Sequence, residues 1–139
     1  MSEKLKKLYI SCPINGRKPE AIVATREKLK KIAEAYIGEK LEVIPFELNA
    51  TSPETKSERI WLLGESIKKM ATADYFIGVG LYGAYDGCSI EYDVAKTYDI
   101  PIWIIEAEHC AKDIITVDPD NSYKGHYIPV SGEVKGVIA

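Results

Sequence analysis

At 139 residues, with 46% apolar and 28% charged side chains, the chain has the size and composition of one soluble globular domain built around a single core. Its net charge of −3 gives no electrostatic case for a nucleic acid polymer or an anionic membrane surface, and no apolar run approaches the ~18 residues of a membrane span. Three cysteines without CxxC spacing and two histidines without HExxH spacing argue against a disulfide framework and against a metal site; with no signal-peptide core at the N-terminus, the expected setting is a reduced cytoplasm.

Leu8–Ser11 reads as a first strand, and Cys12-Pro13-Ile14-Asn15-Gly16-Arg17 follows as a loop, with proline and Asn-Gly as breakers. From Pro19 to Ile37 the apolar residues Ile22, Val23, Leu29, Ile32, Ala33 and Tyr36 recur at helical spacing, with Pro19 suited to the first turn and Gly38 to the stop. Leu41–Phe46 is the second strand, ended by its proline, and 49–56 is polar and loop-like. A second helix is expected over Ser57–Thr72, with Ile60, Leu63, Ile67 and Met70 on one face. Tyr75–Val79 is the third strand, Ser89–Tyr98 the third helix, and Ile100–Ile105 the fourth strand, with Pro101 at its mouth where the ladder tolerates it. Trp61 and Trp103 fall on apolar faces and read as core. Beyond Ile105 the pattern weakens: Ile114–Val117 is a candidate edge strand, and the Gly-, Pro-, Ser- and Tyr-rich stretch 118–139 is expected to be irregular, packed on its own domain or reaching a neighbouring subunit. Strands alternating with helices predict an α/β fold, a Rossmann-like or flavodoxin-like open parallel sheet of 4–5 strands flanked by helices, as one domain over 1–139.

Three strand ends, 11–17, 46–51 and 80–91, then share one rim, the place where open α/β sheets bind ligands. The first offers Ser11, Asn15 and Arg17 together with loop and helix-start N–H groups, a setting for a phosphate or carboxylate as well as for an ordinary turn. It lacks the spacing of a Walker A loop or a GxGxxG fingerprint, so ATP and NAD are disfavoured and no cofactor is expected. The third is denser. Gly80, Gly83, Ala84, Gly87 and Ser89 let a ligand approach the backbone, while Tyr82, Tyr85 and Tyr92 are suited to stack on a base or bond a sugar. Asp86, Glu91 and Asp93 are candidate acids, bases or nucleophiles, weighed against plain decoration of a helix start. With Glu91 in the first turn, free N–H groups and the helix dipole favour its ionised form, the form needed for covalent catalysis at a sugar carbon. Asp74 is a turn residue or a site residue. Cys12 and Cys88 lie on the rim without a histidine base in sequence, and His109 and Cys110, being adjacent, do not face each other productively.

Through Tyr9-Ile10-Ser11-Cys12-Pro13-Ile14-Asn15-Gly16, Trp61 with Ile67 and Met70, Ala73-Asp74, Gly87-Cys88-Ser89-Ile90-Glu91 with Ala95, and Ile100-Pro101-Ile102, residues 7–106 resemble the nucleoside 2-deoxyribosyltransferase-like superfamily, which includes deoxynucleoside 5′-monophosphate N-glycosidases. The resemblance implies that Glu91 attacks the anomeric carbon of a (deoxy)ribosyl group, the base leaves, and water or a second base resolves a covalent glycosyl–enzyme. It implies that Asp74 or Asp86 helps bind the sugar or protonate the leaving base, and that Ser89 contacts the sugar or its phosphate. The loop of Ser11, Cys12, Ile14, Asn15, Gly16 and Arg17 would flank the ligand together with Tyr82 and Gly87, Arg17 favouring a 5′-phosphate. It further implies a homodimer or larger homo-oligomer, with Tyr123 and Tyr127 as candidates to reach a neighbour. A nucleotide-binding or sensing module without chemistry is the alternative. Cys12 stands where the family more often has glycine, which narrows the first loop.

Overall fold

A computed structural model describes residues 4–14, 16–46, 54–80, 86–106 and 125–128, together with the backbone of 135–138. The elements alternate as expected: β1 (Lys6–Ser11), α1 (Pro19–Ile37), β2 (Leu41–Val43), α2 (Glu58–Met70), β3 (Tyr75–Val79), α3 (Asp86–Thr97) and β4 (Ile102–Ile105), followed by β5 (Gly125–Ile128) and β6 (Lys135–Ile138). The strands lie in the order β2-β1-β3-β4-β5-β6. β1 to β5 are parallel and β6 runs antiparallel to β5. The chain is thus an open α/β sheet flanked by helices. With β1 between β2 and β3, the strand order reverses at β1/β3, and open α/β sheets bind ligands in the crevice beyond the carboxyl ends of strands at such a point.

Local chemistry sets the element ends. Pro19 opens α1, where its missing N–H costs nothing, and Gly38 closes it in the left-handed region at φ 85°, its N–H donating to the Glu34 carbonyl. Ser57 caps α2, its hydroxyl accepting from the Ile60 N–H. Strand alternation divides the core in two. Leu8, Ile10, Ile77, Val79, Ile105 and Ile128 pack with Leu29 and Ala33 of α1, while Tyr9, Phe76, Ile102 and Ile104 pack with Met70 of α2 and Tyr92 and Ala95 of α3. Trp103 is half-buried beside the first cluster, between Tyr75 and His126.

Three expectations shift. β2 stops at Val43 rather than Phe46, because Pro45 brings no N–H to the ladder. α3 starts at Asp86, three residues before Ser89. The stretch expected to be irregular, 118–139, supplies β5 and β6, and the buried Ile128 joins the α1-side core. Tyr127 is partly buried and packs against the other cluster of its own chain. The candidate edge strand 114–117 and Tyr123 lie outside the described residues. Among the described residues no helix is long and apolar enough to cross a membrane.

Candidate active site

The period of two along β1 places Tyr9 and Ser11 on the same face, toward α3, while Leu8 and Ile10 turn to α1. Glu91, inward on α3 between Tyr92 and Cys88, meets them there. The Tyr9 phenol donates to Glu91 Oε2, and the Ser11 hydroxyl donates to Oε1 at 2.9 Å, so each carboxylate oxygen has its own donor. Glu91 is only 8% exposed and Ser11 2%, which makes this a buried polar cluster at the β1/β3 crevice. Gly78 pairs with Ser11 across the sheet; a Cβ there would press on the Phe76 ring at 3.1 Å, which fits glycine at this point of the crevice floor.

The electrostatics differ from the sequence expectation. Because α3 begins at Asp86, Glu91 is the sixth helical residue, past the free N–H groups of the first turn. Burial therefore dominates and pushes its carboxyl above the ordinary value, against the hydrogen bonds from Tyr9 and Ser11 and the charge of Arg26. Tyr9 is raised as well, by burial first and then by the Glu91 charge and bond, so the phenol keeps its proton and acts as a donor; Ser66 of α2 stands beside it. Burial pushes the Cys88 thiol up to about 12, with the Glu91 charge adding to it, so Cys88 is a neutral wall of the site and not a thiolate nucleophile.

The other sequence candidates divide. Arg17 is at the loop but spends its fork inside it. Nη1 donates to the Pro13 carbonyl at 2.8 Å and to Cys12 Sγ at 3.4 Å, and Nη2 donates to Thr25 Oγ1 at 2.7 Å and to the Ala21 carbonyl at 3.3 Å. It is a staple between loop and helix rather than a preformed phosphate clamp. Cys12 is half-buried against the α1-side cluster, Ile14 is exposed, and Gly16 takes φ +74°, the turn that needs glycine. Gly87 and Ser89 lie in the first turn of α3, Gly87 exposed with open space around it. Asp86 shares that turn and faces outward, 3.9 Å from Arg59, both side chains well exposed.

Asp74 is not brought to the site. It precedes β3, accepts from the Lys7 N–H at 2.7 Å and returns its own N–H to the Lys7 carbonyl at 2.8 Å, at the opposite end of the strands from Ser11. A role for Asp74 at the sugar or the leaving base is thereby corrected, because the length of β3 separates it from Glu91. Asn15 and Tyr82 lie outside the described residues.

Sequence reasoning missed Tyr9, Ser66 and Arg26 as members of the cluster. The signal for Tyr9 was available: it sits two residues before Ser11 on a strand, so the two must share a face. Arg26, four residues after the buried Ile22 and three before the buried Leu29, borders the inward stripe of α1, an unusual place for a charge. Among the described residues no three His, Cys, Asp or Glu side chains group as a metal would need.

No protein-family model matches the chain, and no curated protein matches it in sequence. Among solved structures it is similar to a 2-deoxyribosyltransferase from the psychrotolerant bacterium Bacillus psychrosaccharolyticus, at 16% identity over 79% of this chain and 77% of that one, with a TM-score of 0.49. It is also similar to a conserved protein from Enterococcus faecalis V583, at 16% identity over 79% of this chain and 70% of that one, with a TM-score of 0.51. The likeness is one of fold.

Proposed function

We propose that the protein cleaves or exchanges the N-glycosidic bond of a (deoxy)nucleoside or nucleoside 5′-monophosphate through a covalent glycosyl–enzyme on Glu91. One observation carries the reading: a buried carboxylate at the β1/β3 crevice with a separate hydroxyl donor on each oxygen. A carboxylate oxygen has two lone-pair sites, so each Glu91 oxygen keeps one free after bonding Tyr9 or Ser11. One of these attacks the anomeric carbon. The C–N bond breaks, its electron pair leaves with the base, and a neutral ester replaces the anion that burial penalises. In the second step water, or the nitrogen of a second base, attacks the same carbon and gives up its proton, which the departed base takes. Glu91 then departs as a carboxylate, and the Tyr9 and Ser11 hydroxyls receive the returning charge without rearrangement. The sequence resemblance at both β1 and α3 supports the same assignment. The resemblance would also have Asp86, Gly87 and Ser89, in the first turn of α3, meet the sugar or the departing base. The enzyme would work as a homodimer or larger assembly in a reduced cytoplasm.

The test is a panel of nucleosides and 5′-monophosphates, with and without an acceptor base, followed by chromatography and intact-mass analysis. Base release by the wild type, a mass gain of one glycosyl group, and loss of both in Glu91→Gln with ligand-induced thermal stabilisation retained are the expected results. Glu91→Ala turning over near the wild-type rate ends the covalent mechanism. Tight binding with no release by the wild type makes the pocket a nucleotide sensor instead.

A further inference from the structure

The β1–β2 ladder ends abruptly. Its last rung is the Ile44 N–H donating to the Leu8 carbonyl at 2.9 Å; Pro45 follows, with no N–H to give. The carbonyls of Ile10 and Ile44, which a longer ladder would engage, instead accept from one side chain of α1: Arg26 Nη1 reaches Ile10 O at 3.2 Å and Nη2 reaches Ile44 O at 3.4 Å. Phe46 covers the guanidinium, its ring centroid 4.8 Å from the Arg26 Cζ. The fork thus wedges the mouth where the two strands part, and it grips the one residue, Ile10, that lies between Tyr9 and Ser11.

We propose that Arg26 is the positioning residue of this site: its fork fixes the β1 carboxyl end so that Tyr9 and Ser11 meet the two oxygens of Glu91, and its charge supports the carboxylate they hold. Both bonds go to neutral carbonyls, which hold the guanidinium in place without cancelling its charge, and the side chain is half-buried, where solvent screens little. Arginine suits the task because a planar fork spans two acceptors that the single point of a lysine cannot span together. Among the described residues, Tyr9 and Ser11 from β1 bond Glu91, Cys88 lies beside it on its own helix, and Arg26 reaches the end of β1 from α1. Of these Arg26 alone is a cation. Burial eases its own ionisation downward, and the charges of Cys12, Tyr9 and Glu91 pull it back up. The assignment deepens the function proposed above, but its test does not depend on turnover.

The experiment is an NMR titration of protein labelled with 13C at the glutamate carboxyls, the Glu91 resonance being identified by its loss in Glu91→Gln. In Arg26→Gln the Glu91 midpoint should move up by about half a pH unit or more, because the favourable charge is gone. In Arg26→Lys it should stay closer to the wild type. In the wild type, the 15Nε resonance of Arg26 should titrate with the Glu91 midpoint and stop doing so in Glu91→Gln; this measurement needs no replacement of Arg26 and holds if Arg26→Gln does not fold. A folded Arg26→Gln with an unmoved Glu91 midpoint, or an Arg26 Nε signal indifferent to Glu91, overturns the assignment. Titrations that behave as expected in a protein that releases no base leave Arg26 in place and remove the glycosidic reading.

Discussion

The Tyr9 phenol and the Glu91 carboxyl bond each other across 82 residues of chain. Neither is explained by its own element. Tyr9 is an inward strand residue whose ring stacks on Phe76 at 5.9 Å, and Glu91 is an inward helix residue in a stripe otherwise formed by Tyr92 and Ala95. Each brings a polar tip to an apolar layer, and each satisfies the other there.

Tyr9→Phe separates the two roles of that residue. The ring keeps its place on Phe76, so the fold is retained, but Glu91 Oε2 loses its donor while still buried. Stability at neutral pH should fall by about 1–3 kcal/mol, the cost of a buried acceptor left unpaired, read by chemical denaturation. Base release should drop by about 100-fold, the scale set by removing one preorganised donor, read by chromatography of the released base. A variant as active as the wild type would show that Ser11 alone suffices.

The raised ionisation of Glu91 fixes the sign of a pH effect. Between the unfolded value and the higher folded value the native state binds more protons, so this residue's contribution is fully present below the unfolded value and is lost as pH rises through the folded one. Glu91→Gln removes the penalty of a buried charge. It should therefore be more stable than the wild type at neutral pH, by about 1 kcal/mol, with the gap closing near and below about pH 4, where both proteins are uncharged at this position. Thermal melts of the two proteins across pH measure the difference. A gap that widens toward acid would mean that the hydrogen bonds, not burial, control the carboxyl.

Arg17 is expected to behave as a staple. Thr25 is buried and accepts one of its bonds, so Arg17→Ala should destabilise the protein by about 1–3 kcal/mol. Arg17→Lys should recover little, because one ammonium does not reproduce the fork. Were Arg17 instead a phosphate ligand, its replacement would raise KM for 5′-monophosphates and leave nucleosides unchanged. The staple predicts parallel losses for both.

Gly125 tests the C-terminal strand pair. Its φ of +104° and a Cβ position only 2.5 Å from the Ile102 carbonyl oxygen leave no room for a side chain where β5 meets β4. Gly125→Ala should cost about 2–4 kcal/mol, read as a lower denaturation midpoint. Unchanged stability would mean that the pairing of β5 with β4 contributes nothing to the fold.

By itself the sequence determined the elements from β1 to β4 and the side on which a site would lie. Helical spacing from Pro19 to Ile37, bounded by proline and glycine, and the apolar run Tyr75–Val79 are local patterns, and local patterns survive folding unchanged. Glu91 could be singled out because a small-residue turn after a strand is also local. The C-terminal strands were not legible: 125–128 is a strand because β4 offers it an edge, not because Gly-His-Tyr-Ile insists on one. Only the tertiary structure decided which polar groups meet. Asp74 was a candidate along the chain, yet it sits at the amino end of β3, whereas β3 leads toward Glu91 at its carboxyl end. Ser66 and Arg26 come from two different helices, and nothing in their spacing tells that they lie near Tyr9 and Glu91. Burial did the rest: a carboxylate whose ionisation the helix start was expected to favour sits one turn deeper, where loss of water outweighs the dipole and the charge must be held by specific donors.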